Sequence, residues 1–367
     1  MPDPAPVPPA DAAWHIRPAV PDDEPALIAL FERVFGRPIG AAAWRWKLRA
    51  RPTPAPNVWV AAADADGTLI AQYAGIPVQV QIAGQVRPAM VSVDTITAPE
   101  WRRRGILTRL AAEVYAAWQA AGVTAVLGLP NEQWGSRTNA LGWVSCFPLA
   151  WQRAPLHVER VVARRLPGPL QGAARAAGGG AAAIWHRLRG GALARVGRWL
   201  RVTALTTADS ALDALWAALA LAYPHLIVRD AAWVAWRYLA APGFGYRVLL
   251  ATGPAGAPTG YCAYRLTTAG DRCSALVADL FTAPDDRATV AALLGAAFDD
   301  LWARDAETAR VPVAPGSALA RLVGSAGFRP APGAFSFAVV PLAPDLDVAP
   351  LQDPAAWLLT GGDFDVA

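Results

Sequence analysis

Pro99-Glu100-Trp101-Arg102-Arg103-Arg104-Gly105-Ile106-Leu107-Thr108 is where the chain changes period. Residues 85–97 before it alternate as a strand does. After it, Ile106, Leu110, Val114, Ala117, Trp118 and Ala121 recur at helical spacing, and Gly122 is placed to end the helix. A strand, an arginine-rich loop with a glycine, and then a helix is the layout of an anion cradle. The free amides at the helix start and the positive end of its dipole can hold a pyrophosphate.

The flanking elements give this loop its setting. Upstream, residues 57–63 alternate, Asp66-Gly67 signals a hairpin into 68–82, and Ala83-Gly84 turns the chain back into 85–97. That reads as three antiparallel strands. Before them, Asp22-Asp23-Glu24-Pro25 opens a helix whose apolar face is Ala26, Leu27, Leu30, Phe31 and Val34. Downstream, residues 123–129 are a short apolar run expected to be a buried parallel strand. A short helix around 132–141 and a last strand at 143–151 follow.

The second half repeats the first faintly. Asp94-Thr95-Ile96-Thr97-Ala98-Pro99-Glu100 recurs as Asp279-Leu280-Phe281-Thr282-Ala283-Pro284-Asp285, and Leu141-Gly142-Trp143 as Ala326-Gly327-Phe328, both 185 residues on. Trp44-Arg45-Trp46 returns as Trp236-Arg237-Tyr238 at an offset of 192. Matches in one order argue for duplication. The later copy lacks the cradle: Asp285-Asp286 follow Pro284 with no glycine, and two acids repel pyrophosphate.

Composition narrows the class. Of 367 residues, 54% are hydrophobic and 17% charged, which excludes a mainly disordered chain. No uncharged run makes a clean spanning helix, and the first residues lack a signal peptide's basic start. Three scattered cysteines make neither a disulfide framework nor a zinc site, and no metal is expected. The net charge of +4 is uneven. Ten arginines and one acid fall between Arg153 and Arg201, so the rest of the chain is net acidic by five charges. Lys47 is the only lysine among 33 basic residues. Residues 184–200 read as a basic amphipathic helix, either solvated or set against a membrane surface or nucleic acid.

The loop residues resemble those of the GNAT superfamily of acyl-CoA-dependent N-acetyltransferases. Arg102 and Gly105 match its Arg/Gln-x-x-Gly-x-Gly/Ala pattern, with Leu107 departing at the last small position. Asn131 stands eleven residues before Gly142-Trp143, a second match. The resemblance implies an α/β fold of the α+β type, with two tandem GNAT-like domains, each a mixed, mostly antiparallel twisted sheet flanked by helices. The expected division is a disordered start at 1–13, an acetyl-CoA-binding catalytic domain at 14–152 and an arginine-rich connector at 153–200. A degenerate second domain at 201–341 and a tail at 342–367 complete it.

It implies acetyl-CoA as cosubstrate, held by Thr95, Ile96 and Thr97, by Arg102, Arg103, Arg104, Gly105, Ile106, Leu107 and Thr108, and by Asn131. Many relatives carry a tyrosine acid where this chain has Thr138. Asp94 is the candidate base, and Ser136, Thr138 or water would relay the proton. The expected activity is acetyl transfer to a primary amine of a small molecule such as an amino sugar, in the cytoplasm. No nucleic acid or stable membrane insertion is expected, and homo-oligomerisation is left open. The alternatives are an acyl-CoA-binding scaffold and an aminoacyl-tRNA-dependent transferase of the same fold.

Overall fold

The computed structural model describes residue 9 and residues 12–130, 140–270 and 272–364, and the chain divides into two compact units. The first is drawn from Met1–Val80, Gln85–Phe147 and Ser336–Gln352. In chain order it runs β1 (Trp14–Pro18), α1 (Glu24–Phe35), α2 (Ala41–Arg49), β2 (Val58–Ala63) and β3 (Leu69–Ile82). It continues with β4 (Gln85–Thr97), α3 (Ile106–Ala120), β5 (Ala125–Gly128) and the start of β6 (Val144–Pro155).

The three antiparallel strands and the helix after the arginine loop lie where the patterns place them. β1 and α2 are additions. β1 is five residues long and takes its hydrogen bonds from the β2 edge, with Trp14 opposite Ala63. A run that short does not stand out by periodicity. Asp66-Gly67 does not form a two-residue turn: the Gly67 amide donates to the Ala63 carbonyl, and the Asp66 carboxylate accepts from Thr68. In α3, Ile106, Leu110, Ala111, Val114, Tyr115 and Trp118 are buried as one stripe against Tyr73, Met90 and Val126 of the sheet. At about 25 cal/mol per Å² of apolar surface, such burial dominates what holds the helix down.

The second unit comprises Gln81–Gly84, Pro148–Phe335 and Asp353–Ala367. After the end of β6 come α4 (Val158–Ala163), α5 (Gly168–Val196), β7 (Arg201–Leu205), α6 (Ser210–Leu219), β8 (His225–Ile227) and α7 (Ala231–Val234). Then follow β9 (Arg247–Thr252), β10 (Pro258–Ala269), β11 (Arg272–Thr282), α8 (Arg287–Ala303), β12 (Thr308–Val313), α9 (Ala318–Ser325), β13 (Arg329–Pro341) and the short β14 (Trp357–Leu358).

The strands of the two units follow one plan. In the first, β1 to β5 lie in sequence order and β4 runs parallel to β5. In the second, β7, β9, β10, β11 and β12 do the same, with β11 parallel to β12. Each closes with an antiparallel strand taken from the other half of the sequence. Residues 338–341 of β13 pair with β5 in the first unit, and residues 150–155 of β6 pair with β12 in the second. Both units are therefore mixed, mostly antiparallel sheets flanked by helices.

By compactness residues 148–155 fall in the second unit and residues 336–341 in the first. Within the stretch 153–200, α4 and α5 are helices of the second unit. α5 starts well before residue 184 and runs through the low-complexity stretch. The missing side chain of Gly178 is what lets the helix sit on Glu159, because a Cβ there would lie 2.7 Å from the Glu159 Cβ. Trp44, Trp46, Trp233 and Trp236 are buried, as core tryptophans. Among the described residues no helix is long and apolar enough to cross a membrane.

Candidate active site

β4 leads through a 3-10 turn at Pro99–Trp101 into the arginine loop and α3. Trp101 is buried and anchors the turn, and the Arg104 guanidinium lies 4.9 Å from its ring. Arg102 is exposed and donates to the Thr97 carbonyl. Arg103 is exposed and has φ +64°. Gly105 precedes α3 with φ +74°, and no side chain caps the helix. The amides of Ile106, Leu107 and Thr108 begin a helix that leaves its first N–H groups unbonded internally, at the positive end of its dipole. No acid lies in that turn. A Cβ on Gly105 would meet nothing within 4 Å, so the glycine is required by its backbone angle and not, within the protein, by close approach. Leu107 packs against the core of the unit.

The corresponding helix of the second unit is closed to an anion. Asp286 caps α8, accepting from the Thr289 amide at 2.8 Å and from the Thr289 hydroxyl. Its own carboxylate fills the place that α3 leaves open.

Among the described residues β4 and β5 pair from Ala89 to Val91 and from Ala125 to Leu127. Beyond this β5 ends at Gly128 while β4 runs on to Thr97. Ile96 is turned into the core, and Thr95 and Thr97 are half-buried. In that part of β4 Asp94 adopts φ +46°, an unusual conformation for a non-glycine residue. Two neighbours hold it there. Lys47 of α2 pairs with its carboxylate at 2.8 Å, both side chains being about 95% buried. Gln72 of β3 donates to its backbone carbonyl at 3.0 Å.

Lys47 was missed from the sequence, although its being the only lysine in an arginine-biased chain was a usable signal. The pair ties α2 to β4 at this point. Geometry thus makes Asp94 a pin for the strand more readily than a free base. Asp279, 185 residues on, is an anchor outright. Fully buried, it accepts from Arg229, Tyr238, Tyr261 and Thr360.

A second group also escaped the sequence reading. Ser92, one residue past the last β4–β5 pair, donates to the Tyr73 hydroxyl at 2.9 Å, and Tyr73 shares a 2.7 Å hydrogen bond with Tyr115. Burial pushes the Tyr73 phenol up to about 12 and raises that of Tyr115 as well. Both hold their protons at neutral pH. Asn131, Ser136 and Thr138 lie outside the described residues.

A cavity of about 420 Å³ in the second unit is lined by Glu159, Arg160, Arg164, Arg175 and Glu307. Arg164 pairs with Glu307, and Arg160 with Asp305, so its charges are largely matched internally. It offers no site for acyl transfer.

Residues 15–143 match the model of the acetyltransferase (GNAT) domain family. No curated protein sequence matches the chain significantly. Among solved structures, the GCN5-related N-acetyltransferase from Anabaena variabilis superposes with a TM-score of 0.63 at 12% identity, over 90% of this chain and 73% of its own. A probable N-acyltransferase from Enterococcus faecalis gives 0.61 at 13% identity, over 89% and 72%. The N-myristoyltransferase of Saccharomyces cerevisiae, solved with myristoyl-CoA, gives 0.59 at 10% identity, over 93% and 85%.

Proposed function

Because residues 15–143 match the model of the acetyltransferase (GNAT) domain family, we propose that the chain transfers an acetyl group from acetyl-CoA to a primary amine of a small molecule. One observation carries this reading: the uncapped start of α3, behind three arginines, follows a strand that has parted from its neighbour. The amides of Ile106, Leu107 and Thr108, with Arg102 and Arg103, would hold the pyrophosphate. The free edge of Thr95–Thr97 would pair with the pantetheine arm, joined by Asn131.

When bound, acetyl-CoA supplies the activated acyl carbon. An amide of the β4 edge beyond residue 91 would donate to the carbonyl oxygen as negative charge develops on it. Lys47 and Asp94 keep that edge in place. The amine must arrive neutral: its nitrogen would bond to the acyl carbon as the C–S bond breaks, its proton would pass to water, and coenzyme A would leave as a thiolate that takes a proton from solvent. Tyr73 and Tyr115 stay protonated and stiffen the wall beneath Ser92.

The test is calorimetry with acetyl-CoA together with thiol release over a panel of amines. One site per chain is expected. Gly105→Val should weaken acetyl-CoA at least roughly tenfold, about 1.4 kcal/mol, by forcing a β-branched residue into positive φ. Two equivalent sites, or unchanged binding in the variant, would overturn the assignment. Binding without thiol release from any amine would favour an acyl-CoA-binding scaffold.

A further inference from the structure

The second unit carries an apolar surface that acetyl transfer does not use. Among the described residues, eight of the twelve exposed large hydrophobic side chains lie between Val158 and Trp199. Most belong to α5, a helix of 29 residues with no acidic side chain. One side of α5 is packed: Leu193 is buried, His186 stacks on Trp302 at 4.4 Å, and the Arg189 guanidinium covers the Phe298 ring. Leu170, Ile184 and Leu188 share another side, within roughly 40° of one another at 3.6 residues per turn. Leu188 and Trp199 each keep 68% of their surface exposed, and Ile184 keeps 59%. Exposed Arg187, Arg195 and Arg198 stand among them.

We infer that this face of α5 rests on an anionic lipid surface. Soluble proteins seldom leave clustered apolar side chains uncovered without a partner for them. Here the partner must accept leucines and arginines together. A second copy docked by two-fold symmetry would set one copy's arginines against the other's. A nucleic acid would take the arginines and leave Ile184 and Leu188 in water. A leaflet with acidic headgroups satisfies both: the aliphatic side chains and Trp199 enter the headgroup boundary, and the guanidiniums meet phosphates. The helix lies on the surface and does not cross it, since no described helix is long and apolar enough to span a membrane. This inference is independent of the acetyltransferase reading.

The test is co-sedimentation of the full chain with vesicles of phosphatidylcholine alone and with 30–40% phosphatidylglycerol (about the range at which surface charge is strong). Binding to the anionic vesicles is expected at least tenfold tighter, and it should weaken with salt as screening grows. Leu188→Glu with Trp199→Glu should reduce that binding at least tenfold. Arg187→Gln, Arg195→Gln and Arg198→Gln together should abolish the preference for acidic lipid. All these positions are exposed, and an unchanged melting midpoint confirms that the variants fold. Equal binding to both vesicles, or no effect of the substitutions, overturns the proposal. So does a concentration-dependent dimer lost in Leu188→Glu without vesicle binding, or DNA binding without vesicle binding.

Discussion

Lys47 and Asp94 form a buried ion pair at a strained point of β4, and their energetics follow from that burial. Lys47→Met should destabilise the protein by about 3–5 kcal/mol, since it takes the nearest cation from a buried carboxylate. Asp94→Asn, which removes the charge but keeps the shape, should cost less, and combining the two should recover part of the loss. Urea unfolding of the three variants measures this. If Asp94 pins the strand, Asp94→Asn should lose acetyl-CoA affinity along with turnover. Turnover falling ~10²-fold at full affinity, with a lost limb of the pH profile, would make it the base instead. Asp94 was legible as a candidate from its place at the loop. Its partner was not, because 47 positions separate the two in sequence and only folding brings α2 to β4.

At the level of elements, the helix starts differ in a way local sequence already announces. Asp286 two residues after Pro284 is a cap signal, and Gly105 beside three arginines is not. Asp286→Ala should lower stability by about 1 kcal/mol, the usual worth of an N-cap, and leave acetyl-CoA binding unchanged. Thermal unfolding and calorimetry on the same variant check both halves.

The closing strands carry a second expectation. A chain truncated after residue 152 lacks residues 338–341, so the β5 edge stays open, and Ala338, Val340 and Leu342 leave the core. It should be unfolded or aggregated by circular dichroism and size-exclusion chromatography. A soluble, cooperatively melting fragment would contradict the exchange of strands. Hydrophobic alternation identified β6 and β13 as strands without saying which neighbour each would take, because period 2 fixes a strand's faces and not its partner.

Across the whole molecule, the most heavily buried charges cluster around Arg229 in the second unit, between Asp279 and Asp363. Two carboxylates share one guanidinium, and burial pushes Asp363 up to about 6 against an ordinary 3.8. An acid whose folded value lies above its unfolded one favours the folded state most at low pH, and that contribution is lost as pH rises through the folded value. From pH 5 to 7 the wild type should therefore lose stability relative to Asp363→Asn. Urea midpoints of the two proteins at both pH values give the comparison. Parallel pH profiles would show that Asp363 does not titrate there.

The sequence by itself determined what local chemistry can specify. Alternation gave three strands, the 3.6-residue stripe from Ile106 gave α3, the arginine-glycine loop marked where that helix starts, and the 185-residue offset announced a repeated plan. These are properties of residues near one another in the chain. Tertiary structure alone decided what depends on distant partners: Lys47 against Asp94, Ser92 against Tyr73 and Tyr115, the swapped closing strands, and which side of α5 stays uncovered. Each is a pairing across tens or hundreds of residues, selected by which surfaces folding leaves to be buried together.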